Sequence, residues 1–383
     1  MTSPLPLERH TARVRADDWP RAGTTPSRDP SLGQGSAQAR EQETAQAQGL
    51  AQGRLREIPE DFVVDELSRL PDSAGPGSGD YVHLRIRKRN LTTPWLVGAL
   101  ARHFGAPQRE VGYAGLKDRR AITSQWFSVR APWGMSVAPW FEPGTAILAV
   151  RHAEAGLRPG DLDGNAFRLR VRDVDEPSVL EAALQRLLAA PFVPNYFGVQ
   201  RFGNDAGNLV AVWDWFAGRR VPDTRFERGI FLSAARSLLF NLALADRVRD
   251  GTWSMSLPGE ARVHGRPAGP LWGRGRTLVQ RDALARCQET WRDAGPARML
   301  VEREGLRQDL RSWALAVSGL DWTWFGRDVV VTFSLPAGGY ATTVLRELVR
   351  GAAAAAEEED DGAAAGDVAS APSRLPRVSG GAR

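Results

Sequence analysis

VGYAGLKDRRAITSQWFSV, residues 111–129, runs from a short apolar stretch through a glycine-punctuated turn into a second apolar stretch. Gly112 and Gly115 permit a tight loop. That loop delivers Lys117-Asp118-Arg119-Arg120 between two strand-like segments. A carboxylate among three cations is expected to stay ionised, because nearby positive charge favours the charged form. An ionised carboxylate in a loop can serve as nucleophile or base. No Gly-Lys-Ser/Thr follows, so this is not a phosphate-binding P-loop. On the local residues alone, a charged surface turn is an equally open reading.

Either side of this loop, two further strands share a pattern. In Val82-His83-Leu84-Arg85-Ile86-Arg87-Lys88 apolar and basic residues alternate, and Phe167-Arg168-Leu169-Arg170-Val171-Arg172 does the same. A period of two puts apolar residues on one face and arginines on the other. If both strands join one sheet, the arginines form a basic platform suited to phosphate contacts; a solvated sheet face is the alternative. Helices are legible too. Thr93-Pro94 opens one that Gly105 closes. Apolar stripes mark residues 177–190 and 232–249, and the C-terminal part reads as strand 329–335, a Gly338-Gly339 turn and a helix over 341–350. Strands and helices mix without strict alternation, so the class is α+β.

Composition narrows the function. The chain has 383 residues and a net charge of +5. Residues 1–53 hold six basic and six acidic side chains and residues 351–383 three and six, so the middle carries +8. A basic middle suggests a polyanion partner such as nucleic acid, although a basic protein without one has the same composition. Only two of the 50 Lys and Arg residues are lysines, Lys88 and Lys117. The sole cysteine, Cys287, excludes an internal disulfide, and no two of the five histidines have metal-ligand spacing. There is neither a signal-peptide core nor a run of 18 apolar residues, so a cytoplasmic protein without a membrane span is expected. No dinucleotide fingerprint and no Ser-His-Asp or Cys-His grouping is evident.

Further segments could carry chemistry. Pro194-Asn195-Tyr196-Phe197-Gly198-Val199-Gln200-Arg201-Phe202-Gly203 packs aromatics, amides and an arginine together. Rings can stack on an unstacked base and amides can read its edge; a core loop is the bland alternative. Phe62-Val63-Val64-Asp65-Glu66 reads alone as a strand. In Phe231–Asn241, Arg236, Ser237 and Asn241 add polar groups to a packing helix. The turn in Leu335–Thr343 puts Tyr340 at a helix entrance.

In this order, FxVxE, GLKDRRAITSQW, PNYFGVQRFG, FLSAARSLLFN and LPAGGYATT resemble the motifs of the tRNA pseudouridine synthase D family across roughly residues 54–350. The resemblance implies an isomerase that converts uridine 13 of tRNA to pseudouridine without metal or organic cofactor. It implies Asp118 as the catalytic aspartate. It implies Phe62, Asn195, Phe197 and Tyr340 as substrate contacts, some relatives having phenylalanine at the last. Lys117, Glu66, Arg201 and Arg236 are candidate supporting residues. The implied fold is a catalytic domain with a mixed, mainly antiparallel sheet over 54–221 and 315–350. A family-specific α/β domain is inserted at 222–314, with an RNA cleft between the two. The tails, 1–53 and 351–383, are expected to be disordered, and the protein to be a monomer. Rival readings are a non-catalytic RNA-binding protein on this scaffold, which would not need the Asp118 loop, and a nucleoside hydrolase-like enzyme, which would release free base.

Overall fold

The computed structural model describes residues 49–68, 70, 79–131 and 142–351, together with Trp19 and Arg21. Most of both expected tails lies outside the described residues. Packing nevertheless starts before residue 54. Leu50, Ala51 and Trp19 are buried, and Gln52 bridges to Arg350.

The strands are β1 (Arg54–Leu55), β2 (Phe62–Leu67), β3 (Tyr81–Arg89), β4 (Gly112–Tyr113), β5 (Ile122–Arg130), β6 (Thr145–Ala153), β7 (Gly164–Arg172), β8 (Phe192–Pro194), β9 (Ala261–Val263), β10 (Arg266–Leu271), β11 (Asp309–Ser312), β12 (Ala314–Ala316), β13 (Ser318–Phe325) and β14 (Asp328–Pro336). The helices are α1 (Thr93–Phe104), α2 (Pro177–Ala189), α3 (Gly207–Phe216), α4 (Arg225–Arg249), α5 (Arg281–Thr290), α6 (Gly295–Arg303) and α7 (Ala341–Leu348). Among the described residues the main sheet has the order β13-β14-β7-β2-β5-β3-β6, with β1 on β7 and β4 on β5. Only the β2–β5 pair in it is parallel; every other neighbour is antiparallel. The expected mixed, mainly antiparallel α+β architecture is therefore present.

Register separates the two faces. Lys88 lies opposite Thr123, Thr123 beside Val64, and Val64 opposite Phe167, so these share one face. On that face α1 covers Val82, Leu84 and Ile86 with Leu96, Val97 and Leu100. Further along it, Phe62, Val64, Phe167 and Leu169 pack against Leu180 and Leu184 of α2 and Val344 and Leu345 of α7. Two apolar cores thus sit on one side of one sheet. Between them runs a polar seam of Lys88, Thr123, Gln125 and Glu66, all buried.

The arginines of β3 and β7 occupy the reverse face. Arg87 lies opposite Ser124 and Arg89 opposite Ile122, whose parallel partner Val63 faces Arg168. The two strands do share a sheet and an arginine face. Much of that face is paired within the chain: Arg85 with Asp65, Arg89 with Glu60, Arg170 with Asp328 and Arg172 with Asp61. Lys88 does not belong to it. Counted by twos, Lys88 falls in the row of Val82, Leu84 and Ile86, and it is fully buried there.

A third core joins α3, α4, α5 and α6 with Tyr196, Phe202, Trp272 and Trp313. The three-stranded sheet β11-β10-β9 completes this unit. The boundary expected at residue 222 falls between α3 and α4, yet both helices bury residues in this one core. By length and hydropathy alone α4 could cross a membrane, but 72% of its most apolar window is buried inside the protein.

Candidate active site

Asp118 sits at the mouth of the polar seam on a loop held through Gly115, Lys117 and Asp118 itself. Gly112 lets the loop enter, since a Cβ there would stand 2.3 Å from the Leu157 carbonyl oxygen. The Gln125 amide donates to Gly115 O at 2.9 Å and also meets Thr93 Oγ1, which accepts from Lys117 N at 3.1 Å. Thr93 is the first residue of α1, whose start is capped by Thr92 Oγ1 accepting from Trp95 N. Lys117 turns inward, and its Nζ lies 2.9 Å from Glu66 Oε2, with side-chain exposures of 5% and 0%. Glu66 Oε1 accepts from Trp126 N at 3.1 Å. From below, the Lys88 ammonium donates to the carbonyls of Leu91, Asp118 and Lys117 at 2.6, 2.8 and 3.4 Å. Burial lowers the Lys88 pKa to about 8, against the pull of the Asp118 charge.

The Asp118 side chain is 37% exposed. Its Oδ2 lies 3.7 Å from Arg56 Nη2. Arg56 is buried and has φ of 56°, a left-handed conformation that costs a non-glycine residue energy. Burial lowers its pKa, and Asp118 opposes that shift. Its guanidinium lies 3.7 Å above the Phe62 ring. Phe62 itself is buried and meets Phe167 edge-on. One cluster therefore gathers Asp118, Lys117, Glu66 and Phe62, with Arg56 joining the aromatic to the carboxylate.

A second cluster gathers Asn195, Phe197, Arg201 and Tyr340. Arg201 donates to the Tyr340 hydroxyl at 2.8 Å and to Ser233 Oγ at 3.1 Å. Asn241, fully buried on α4, exchanges two hydrogen bonds with the Phe197 main chain, both 2.9 Å. Arg311 donates to Asn195 Oδ1 at 2.6 Å and to Gly338 O at 3.3 Å, while Asn195 Nδ2 donates to Ser312 O. The Arg311 guanidinium lies 4.2 Å from the centre of the Phe197 ring. Enclosure brings its pKa down to about 10. Both clusters border the core that holds Phe62, Ala121, Leu335 and Ala341. Arg236 stands apart, donating to the main-chain carbonyls of Trp272 and Arg307.

Comparison with known proteins decides which family the chain belongs to. The family model described as tRNA pseudouridine synthase D (TruD) matches residues 42–213. A tRNA pseudouridine synthase D of Nitrosococcus oceani is 41% identical over 79% of this chain and 91% of its own length. Its counterpart in Cellvibrio japonicus is 39% identical over 78% and 90%. The chain belongs to the tRNA pseudouridine synthase D family.

A solved Methanosarcina mazei structure described as tRNA pseudouridine synthase D superposes with a TM-score of 0.60 at 19% identity, covering 79% of this chain and 94% of that one. That likeness carries the fold. Within this synthase D member, sequence reasoning missed Arg56, Arg311 and the place of Lys88. Lys88 had a signal, because the two-residue period already puts it on the apolar row. Arg56 and Arg311 had none, being two of 48 arginines in stretches without a pattern.

Proposed function

We propose that this chain isomerises uridine to pseudouridine in tRNA, at position 13, in the cytoplasm, with Asp118 as nucleophile. The observation that carries the reading is the hydrogen-bonded loop that holds Asp118 beside a buried arginine in a member of this family. The uridine flips out of the tRNA, at a cost of a few kcal/mol in lost stacking that pocket contacts offset. Asp118 attacks the ribose C1′, or assists a glycal-like species, as the bond from C1′ to uracil N1 breaks. The uracil turns in place and C5 bonds to C1′ as the Asp118–C1′ bond breaks or, by the glycal route, as the proton that Asp118 took from C2′ returns to it. The C5 proton is lost, and N1 gains one. Atoms balance with no redox partner. Exclusion of water protects the sugar intermediate.

The pocket contacts suggest refined roles. Phe62 is buried as well as covered by Arg56, so it acts by holding that guanidinium against Asp118, whereas Phe197, although Arg311 lies over it, is only partly buried. Asn195 has its amide oxygen engaged by Arg311, which favours a role in fixing the pocket wall. Phe197 and Tyr340 are then the rings that meet the base. The test is chemical mapping of pseudouridine in cellular tRNA with and without this gene, together with Asp118→Asn. That variant should bind tRNA normally and form no pseudouridine. Turnover by Asp118→Asn, or modification at position 13 that persists without the gene, would refute the reading.

A further inference from the structure

Of the 50 cationic Lys and Arg side chains, 48 are arginine. The two lysines, 29 positions apart in sequence, meet at one loop. The Lys88 contact is one for which a guanidinium is the wrong shape, and at Lys117 the two-oxygen pairing that a guanidinium favours would compete with Trp126 N for Glu66 Oε1. The Lys88 Nζ is surrounded by three carbonyl oxygens, of Leu91, Asp118 and Lys117, at 2.6, 2.8 and 3.4 Å. An ammonium directs three donors from one atom, whereas guanidinium is a planar fork that spreads its donors over three nitrogens. Lys88 is also fully buried. Lys117 puts its ammonium 2.9 Å from the buried Glu66, whose second oxygen is fixed by Trp126 N.

We propose that Lys88 and Lys117 are positioning residues that aim Asp118, and that this role requires lysine and not merely a positive charge. Lys88 acts through the main chain by holding the Asp118 carbonyl. Lys117 acts by anchoring the loop one residue before Asp118, its ammonium fixed on the buried Glu66. The inference rests on the reading of Asp118 as the reacting group. The charged groups around Lys88 are Asp118 and Lys117, with Arg56 beside the former and Glu66 beside the latter. Thr93 and Gln125, which close the loop from α1 and β5, are neutral.

The test uses the full chain and position-13 tRNA substrate under single-turnover conditions. Lys88→Arg should lower the rate by about 100-fold, the scale of a 1 Å misplacement of a reacting group. Its tRNA affinity should stay within about threefold. Lys117→Arg should behave the same way and decides the matter if Lys88→Arg does not fold. In the unaltered protein the rate should fall above about pH 8 as Lys88 loses its proton, and the residual activity of Lys88→Met should lack that limb. Wild-type rates in both arginine variants, or a flat alkaline profile in the unaltered protein, overturn the proposal. Asp118→Asn run alongside separates the two ideas. If it is inactive while Lys88→Arg is normal, only the lysine inference fails; if it is active, the reading of Asp118 itself fails.

Discussion

Phe62 illustrates how little a residue's type reveals of its task. Its ring is a core element on one side and the seat of a guanidinium on the other. Phe62→Ala should cost about 3–5 kcal/mol of stability through the cavity it leaves, measurable by denaturant unfolding, whereas Phe62→Leu should keep most of that stability and still slow catalysis by freeing Arg56. Lys88 makes a second residue-scale prediction, with a definite sign. Its folded pKa of about 8 lies below the ordinary 10.5, so burial of the ammonium costs stability at neutral pH. That cost fades as pH rises from about 8 to 10.5 and is fully felt below 8. The Tm difference between Lys88→Met and the unaltered protein should therefore shrink across this window, while activity falls in it. At this scale the sequence marked Asp118, Lys117 and the aromatic-amide segment, since each stands in a dense run of unusual residues. Arg56 and Arg311 stayed hidden because their partners, Asp118 and Asn195, are 62 and 116 positions away.

At the scale of elements, periodicity was informative and facing was not. The alternation in β3 and β7 correctly implies one basic face, but no local pattern tells which side of the sheet the helices will cover. The register places the arginines behind the sheet and Asp118 in front of it. Replacing Arg87 and Arg168 together by Gln should leave the salt dependence of tRNA binding unchanged. A slope shallower by about 2 in log Kd against log salt would mean that both touch phosphates. Helix α1 gives a cleaner case. Its start at Thr93 and its left-handed stop at Gly105 agree with the sequence expectation. Thr92→Ala should cost about 1 kcal/mol and, through Thr93 and Lys117, loosen the Asp118 loop more than a distant substitution of equal cost.

The described residues form three cores, two on one sheet face and one around α4. Cys287 belongs to the third, and burial pushes its thiol up to about 12. Labelling by a thiol reagent at pH 8 should therefore track unfolding of that core, and fast labelling of the native protein would show the core to be open. The parallel pairing of β2 with β5 has a further consequence. It joins Val63 to Ile122, and the stretch between them contains β3, α1 and the Asp118 loop. Contacts so distant along the chain are slow to form, because loop-closure entropy must be overcome first. The Asp118 loop is thus closed into place only when β2 and β5 have paired. In refolding from denaturant, helical signal should therefore return first and the capacity to modify RNA last, and simultaneous return of both would show that closure of this pair is not the late step.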